Sequence, residues 1–369
     1  MNKESSSMKK IILYGIANRT LRMQVQSYLD DDYEIIGISD SKLTEDYLQG
    51  ELYITPDEII NKQFDYILVL TTNERSQKEI IDILRMKGIS INKIIVPRLL
   101  CQKDSEYIPD LKRDLEKEIV RNTNAEGFCL GLSYSLRGLN FNKLQIDCID
   151  CSWHGLDLYY CYKSRQMFDE RYKTAILVFP YYYFNYDMSL SEYQFNTGQI
   201  LACRGFQDWH NADKSHNSVI DDYLISTELF GKKFWMNKRW RKEIPREEKI
   251  IENTATGIAT IWKKKHQGTL EENILIFERL IQSCVGMRIV MIVPPIFWEV
   301  IRRDDVQYIL EQKSYFYKII NRYKNVIELF DCSNLMQKRE YYYDYEHLNE
   351  EGREVLTRLL NQKLFGYDY

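Results

Sequence analysis

The feature that most constrains the fold is an alternation of short apolar stretches with segments of helical spacing. Within residues 1–100, four stretches are rich in β-branched and other apolar residues: 9–16, 33–40, 64–71 and 91–97. Strands that are apolar along their whole length are typical of parallel sheets covered by helices on both faces. The pattern therefore predicts a Rossmann-like domain over residues 1–100.

The alternation begins again after a highly charged segment at 101–126, which is predicted to be a linker helix. Five further apolar stretches follow: 127–132, 144–151, 174–180, 287–295 and 325–333. They predict a second parallel-sheet α/β domain over residues 127–369. A polar and aromatic segment at about 188–270 interrupts the rhythm, and it is predicted to be an insertion that carries substrate-specific elements.

The composition excludes several classes of partner. The net charge of −4 gives no reason to expect nucleic acid or a membrane surface. No apolar run reaches the ~20 residues that span a bilayer, and the first ten residues lack the apolar core of a signal peptide. A cytoplasmic location is expected, with the eight scattered cysteines as reduced thiols.

No cofactor and no metal are expected. Cys148 and Cys151 have C-x-x-C spacing, but no second pair or suitably spaced histidines accompany them. Positions i and i+3 of a strand also face opposite sides of the sheet, so these two thiols would not converge on one ion.

Ser133 stands where an apolar strand runs into a helix-like segment, within "GFCLGLSYSLRGLN". Ligands of open α/β sheets bind at this carboxyl edge. The free N–H groups of a helix start also stabilise negative charge, as an acyl-transfer nucleophile requires. The alternative is that Ser133 is a plain helix N-cap.

Gly155 follows the second strand of this domain, in "DCSWHGLDL". A glycine just past a strand end lets the backbone approach a ligand closely, so Gly155 is a candidate donor to the same oxyanion. The alternative is a strand-to-helix turn, and Gly155 can serve both purposes.

Asp344 and His347 fall on the loop after the last predicted strand, in "YDYEHLNEEG". A serine nucleophile needs a neutral imidazole to accept its proton, and the imidazole needs a carboxylate that holds its tautomer. Asp-x-x-His supplies both groups at the edge where Ser133 is expected. The alternative is that His347 only caps a helix.

The stretches "GLSYSLRGLN", "SWHGLDL" and "DYEHLN" resemble the first, second and fifth sequence blocks of the SGNH (GDSL-like) hydrolase and acyltransferase superfamily. The resemblance covers about residues 125–365. It implies a three-layer, flavodoxin-like α/β/α sandwich with Ser133 as nucleophile, His347 as base and Asp344 as the residue that orients it. The N–H groups of Ser133 and Gly155 would hold the oxyanion.

One block departs from the family pattern. A Gly-x-Asn-Asp sequence usually follows the third strand, and its Asn completes the oxyanion hole. This chain has "FPYYYFNYDMSLS" there, in which Asn185 is the nearest substitute and a hydroxyl from Tyr181 to Tyr183 is the alternative. Leu132 also replaces the Asp that usually precedes the nucleophile.

Residues 1–100 resemble the Rossmann-like domains that precede bacterial sugar O-acyltransferases and related polysaccharide enzymes. Gly15 and Asp40 match the glycine-rich turn and the acidic strand end, whereas Ala17 and Asn18 replace later glycines and Arg19 offers a partial compensation. The resemblance implies nucleotide or nucleotide-sugar binding. The alternative is a structural or dimerising domain that has lost its ligand; in the dimerising case the protein would be a homodimer.

Together these features predict a serine-dependent ester hydrolase or O-acyltransferase. The resemblance of residues 1–100 alone implies that its substrate is an acylated sugar or surface-glycan precursor. The alternative is a catalytically inactive SGNH-like protein that binds a carbohydrate or nucleotide-sugar through "PYYYFNY" and the insertion. The insertion is expected to cover the Ser133 site as a lid or wall. Its candidate residues are Phe206, Trp209, His210, Asn217 and Trp235.

Overall fold

The computed structural model divides into two compact units, one at Met1–Ile108 with Ser218–Arg241 and one at Pro109–Asn217 with Lys242–Tyr369. The residues that the structure describes are 8–15, 19–41, 52–71, 73–97, 110–190, 200–206, 209–211, 228–230, 269–301, 303–344 and 347–366.

The N-terminal unit contains a four-stranded parallel sheet in the order β2-β1-β3-β4. Its strands are β1 (Lys9–Tyr14), β2 (Tyr33–Ser39), β3 (Tyr66–Val69) and β4 (Ile94–Ile95). Helix α1 (Arg19–Tyr28) connects β1 to β2, and helix α2 (Glu74–Met86) follows β3. Short 3₁₀ turns occur at Ile59–Asn61 and Ile91–Lys93.

The core of this unit is aliphatic, as the apolar strands predict. Ile12, Ile67, Val69 and Leu84 are fully buried in one cluster. At roughly 1.5–3 kcal/mol for each buried aliphatic side chain, such a cluster is a principal source of the unit's stability.

A segment from the predicted insertion also belongs to the N-terminal unit. Lys9 forms an ion pair with Glu228, whose carboxylate accepts a hydrogen bond from Tyr33 Oη at 3.2 Å. The Asp30 amide donates to the carbonyl oxygen of Leu229 at 2.9 Å. Residues 228–230 therefore lie beside β1 and β2.

The C-terminal unit contains a five-stranded parallel sheet in the order β6-β5-β7-β8-β9. Its strands are β5 (Gly127–Gly131), β6 (Cys148–Asp150), β7 (Thr174–Val178), β8 (Arg288–Val293) and β9 (Ile327–Asp331). Taken in chain order this is 2-1-3-4-5, the flavodoxin-like order. The predicted α/β fold class is confirmed.

Six helices accompany this sheet within the described residues. They are α3 (Leu111–Arg121), α4 (Ser133–Gly138), α5 (Leu158–Arg165), α6 (Leu270–Ser283), α7 (Arg303–Arg322) and α8 (Glu350–Phe365). The strand order reverses between β5 and β7, and doubly wound sheets bind ligands beyond the carboxyl ends of the strands at such a point. Helix α4 begins at this edge.

The seven cysteines of the described residues are free thiols. Burial raises the pKa of the Cys148 thiol to about 12, and it holds the pKa of the Cys151 thiol well above its usual range. Both thiols are therefore protonated at neutral pH. In the part of the chain that the structure describes, no helix is long and apolar enough to cross a bilayer.

Candidate active site

Ser133 lies at a tight strand-to-helix turn. All five residues of β5 are buried, and Leu132 is extended and occupies the N-cap position of α4. A Cβ on Gly131 would lie 2.6 Å from Ser135 Cβ and 3.1 Å from the Val178 carbonyl oxygen, so the turn closes only around a glycine. Ser133 is the first helical residue rather than the cap, so the N-cap interpretation is wrong.

Ser133, His347 and Asp344 form one hydrogen-bonded chain. His347 Nε2 lies 2.7 Å from Ser133 Oγ. His347 Nδ1 lies 2.8 Å from Asp344 Oδ2 and 3.0 Å from Oδ1. In the neutral imidazole, an N–H on Nδ1 donates to Asp344 and leaves the Nε2 lone pair to accept the serine proton. The structure thus brings together three residues that are 214 positions apart at most.

The loop that carries Asp344 and His347 is held by its own backbone. The Tyr343 amide donates to the His347 carbonyl at 2.8 Å, and the Asn349 amide donates to the Tyr341 carbonyl at 3.0 Å. The Asn349 side chain caps α8 by accepting from the Gly352 amide at 3.0 Å. Helix α8 and the loop therefore fix each other.

An aromatic side chain packs against the imidazole. The ring of Tyr134 stacks on the ring of His347, with centroids 5.2 Å apart and planes at 22°. Tyr134 Oη shares a buried hydrogen bond of 2.7 Å with Tyr182 Oη. Because the side chain of His347 is only 14% exposed, its ring has little freedom to leave Ser133.

Gly155 occupies the turn between β6 and α5 in a left-handed conformation with φ of +66°. Tyr186 Oη donates to the Gly155 carbonyl at 2.8 Å, and Tyr183 Oη donates to the Leu156 carbonyl at 2.7 Å. Two tyrosines thus hold this turn through its carbonyl oxygens. The role of Gly155 as an oxyanion donor stays a prediction.

The residues that could replace the missing Asn of the Gly-x-Asn-Asp block form hydrogen bonds with other groups. Asn185 Nδ2 donates to Tyr308 Oη at 3.1 Å. Tyr181 Oη donates to Asp331, while the hydroxyls of Tyr182 and Tyr183 are engaged with Tyr134 and with the Leu156 carbonyl. Participation of Asn185 or of a tyrosine hydroxyl in an oxyanion hole stays a prediction.

A second cluster of ionisable groups was not foreseen from the sequence. One ligand-capable side-chain atom from each of Asp157, Asp187 and His210 lies within 4.8 Å of the other two. Burial, reinforced by Asp187, raises the pKa of Asp157 to about 6. Burial lowers the pKa of His210, but the nearby carboxylates outweigh it and raise that pKa to about 9. No sequence pattern links these three residues, and only the path of the folded chain brings them together.

The expected lid residues are described only in part. Asn217 and Trp235 lie outside the described residues. The ring of His210 stacks on Tyr159 with centroids 4.2 Å apart, and Phe206 lies 5.9 Å from Tyr160 by the same measure. This part of the insertion thus packs against α5, and coverage of Ser133 stays a prediction.

In the N-terminal unit, Gly15 and Asp40 lie at the carboxyl ends of the neighbouring strands β1 and β2. Gly15 has a left-handed φ of +81°, and its amide donates to the Ser39 carbonyl at 3.0 Å. Asp40 is 6% exposed. Asn18 lies outside the described residues, as does the side chain of Arg19, and nucleotide binding stays a prediction.

No protein-family model matches the chain, and no curated protein matches it. Solved structures do match, among them a Streptococcus pneumonia protein provisionally described as a platelet activating factor. The two sequences are 11% identical, the match covers 69% of this chain and 93% of that chain, and the TM-score is 0.38. This likeness carries no argument about function, which rests on the geometry of the site.

Proposed function

We propose that the protein is a serine-dependent ester hydrolase or O-acyltransferase. The observation that supports the proposal is the chain of hydrogen bonds from Ser133 Oγ through the His347 imidazole to Asp344. A serine hydroxyl without such a base is too weak a nucleophile near neutral pH.

In the first half-reaction, Ser133 Oγ attacks the ester carbonyl carbon while His347 Nε2 takes the serine proton. The carbonyl oxygen becomes an oxyanion, which the backbone N–H groups of Ser133 and Gly155 would stabilise, with Asn185 as the third candidate donor. The carbon–oxygen bond to the leaving group then breaks, and His347 returns the proton to the departing alcohol. An acyl-serine remains.

In the second half-reaction, water or another alcohol attacks the acyl-serine. His347 takes a proton from this acceptor and returns it to Ser133 Oγ as the acyl group leaves. Both outcomes use the same triad, so the difference between a hydrolase and a transferase lies in how well the site excludes water.

The substrate class follows from the sequence resemblance. We infer an acylated sugar or a surface-glycan precursor, handled in the cytoplasm and with a nucleotide-sugar held by the N-terminal unit. The second candidate is an inactive SGNH-like carbohydrate-binding protein. It is favoured by the hydrogen bond that the Asn185 side-chain amide donates to Tyr308 Oη. An amide that donates to Tyr308 is less available as the third donor to an oxyanion.

A burst experiment separates the two candidates. Mixing the full chain with excess p-nitrophenyl acetate should release up to one equivalent of nitrophenol rapidly and leave an acetyl group on Ser133. His347→Ala and Ser133→Ala should each lower kcat by on the order of a thousandfold, because the members of a triad act as a unit.

Ser135→Ala is the matched control. Ser135 lies in the same helix and its hydroxyl accepts from Ser152 Oγ at 2.7 Å, away from the imidazole. This variant should keep the burst. A folded wild-type protein that shows no burst and no turnover would leave the binding-protein candidate.

A further inference from the structure

We infer that Asp157, Asp187 and His210 form a binding site for one divalent cation of the zinc or manganese type. The site stands independently of the proposed acyl-transfer function. The sequence offered no metal site because its cysteines lack the spacing of a ligand set, whereas these three residues meet only through the path of the loops.

The first observation is the convergence of buried donor atoms. One imidazole nitrogen and two carboxylates lie within 4.8 Å of one another. The side chain of Asp187 is fully buried and that of His210 is 10% exposed, while Asp157 is 1% exposed. Buried carboxylates this close repel each other unless a cation lies among them.

The second observation is the direction of the His210 ring. Nδ1 lies 2.9 Å from Asp187 Oδ2, yet it is buried and makes no hydrogen bond of acceptable geometry. The two atoms are close without pointing at each other. Two ligands of one ion behave in this way, because atoms about 2.1 Å from a common cation are roughly 3 Å apart at the right angle of octahedral coordination and roughly 3.4 Å apart at the tetrahedral angle.

The third observation is the surroundings of the donors. His210 Nε2 lies 3.1 Å from Glu272 Oε1, so when a metal displaces the proton of Nδ1, the proton on Nε2 still donates to that carboxylate and the Nδ1 lone pair binds the ion. A carboxylate on the outer ring nitrogen is the usual support of a metal-binding histidine. Asn211 Nδ2 donates to Asp187 Oδ2 at 2.7 Å and to Glu272 Oε2 at 3.2 Å.

Backbone amides also hold the two carboxylates in place. The oxygens of Asp157 accept from the amides of Tyr160 and Met188, both at 3.0 Å. Asp187 Oδ1 accepts from the Leu190 amide at 3.0 Å. Each of these oxygens keeps a second lone pair for a cation.

The donor set selects the kind of cation. Nitrogen from imidazole suits zinc and other first-row transition ions, and two carboxylates keep manganese acceptable, whereas magnesium and calcium prefer oxygen donors alone. Asp157 lies two residues after Gly155, so a bound ion would hold the start of α5 against the 181–190 segment. Its role would be to stiffen the turn between β6 and α5 at Gly155.

The test uses the full chain, freed of metal by a chelator and dialysed. Calorimetric titration with Zn²⁺ and with Mn²⁺ should show one site per chain, with zinc binding more tightly and a rise in the melting temperature. Mg²⁺ should give no saturating heat at equal concentration. Asp187→Asn and His210→Gln should each weaken zinc binding by about a hundredfold or more, because each alters one of the three donor residues in the described part of the chain.

Two further variants keep the test decisive. Glu272→Gln changes a residue whose side chain is 38% exposed, so it should fold, and it should weaken zinc binding by about 10- to 100-fold. Cys148→Ser is the matched control for zinc captured by a thiol, and it should bind as the wild type does.

Two results would overturn the inference. One is the absence of saturable zinc binding to the wild type, which would mean that a protonated His210 alone balances the carboxylates. The other is binding that Glu272→Gln, Asp187→Asn and His210→Gln all leave unchanged. Neither result depends on the reactivity of Ser133, so the proposed acyl-transfer function would stand or fall separately.

Discussion

Gly352 in the first turn of α8 is the position at which a single methyl group should disturb the triad most directly. A Cβ there would lie 2.3 Å from the Tyr341 carbonyl oxygen and 3.1 Å from Leu348 Cδ2. An ordinary carbon–oxygen contact is roughly 3.3 Å, so in Gly352→Ala that carbonyl must retreat by about 1 Å. The same oxygen accepts the Asn349 amide, and that hydrogen bond closes the loop that carries Asp344 and His347.

Two effects follow from this displacement. Overpacking costs about 1–3 kcal/mol and a lost hydrogen bond about 1 kcal/mol more, so Gly352→Ala should lower the free energy of unfolding by about 2–4 kcal/mol. A shift of about 1 Å in the imidazole should also lower turnover of p-nitrophenyl acetate roughly a hundredfold. Urea unfolding measures the first effect and steady-state kinetics the second.

Gly138→Ala is the matched control. Gly138 ends α4, and a Cβ there would meet only Leu356 Cδ2 at an ordinary 3.6 Å. This variant should unfold and turn over within error of the wild type, or be more stable by up to about 1 kcal/mol. Wild-type stability and turnover in Gly352→Ala would refute the reasoning, because the loop would then tolerate the displacement.

Three further predictions concern pH and ligands. Turnover should fall toward acidic pH, because His347 must be neutral to accept the proton of Ser133; a rate that does not change between neutral and acidic pH would exclude His347 as the base. Burial raises the pKa of Asp331, but hydrogen bonds from Tyr181, Tyr317 and Ser333 outweigh burial and hold that pKa below its usual range. This carboxylate therefore contributes stability above its unfolded pKa of ~3.9 that is lost as the pH falls through the lower folded pKa. Tyr317→Phe should cost about 1 kcal/mol in urea unfolding at pH 7 and less at pH 3, and an equal cost at both pH values would contradict this assignment. Titration with nucleotides and nucleotide-sugars should give heat that Asp40→Asn diminishes, whereas no heat with any of them would leave the structural or dimerising interpretation of the N-terminal unit.

The strands could be predicted because their pattern is a direct consequence of burial. All nine predicted strands occur in the described structure, and both sheets are parallel. The boundaries were less predictable. The apolar stretch at 64–71 pairs only at Tyr66–Val69, and the stretch at 91–97 pairs only at Ile94–Ile95. Apolar residues such as Leu70 and Val96 stay buried after pairing ends, so burial alone does not mark the end of a strand.

The meeting of Ser133, Asp344 and His347 could be predicted because each follows a strand of one parallel sheet, and all carboxyl ends of such strands lie at one edge. The hydrogen-bond partners of the tyrosine hydroxyls could not be predicted, because they depend on side-chain rotamers and on the path of the 181–190 segment. The partners of His210 could not be predicted for the same reason, so the sequence placed it only in the expected lid. Its contacts with Asp187 and Glu272 arise from chain segments whose sequences carry no shared pattern.

The central claim is that His347 activates Ser133, and covalent labelling tests it most directly. The full chain should react with a fluorophosphonate probe once per molecule, and peptide mass spectrometry should place the modification on Ser133. His347→Ala should abolish the labelling, and Ser135→Ala should retain it. No labelling of the folded protein, labelling at another serine, or labelling of Ser133 that His347→Ala leaves unchanged would contradict the account.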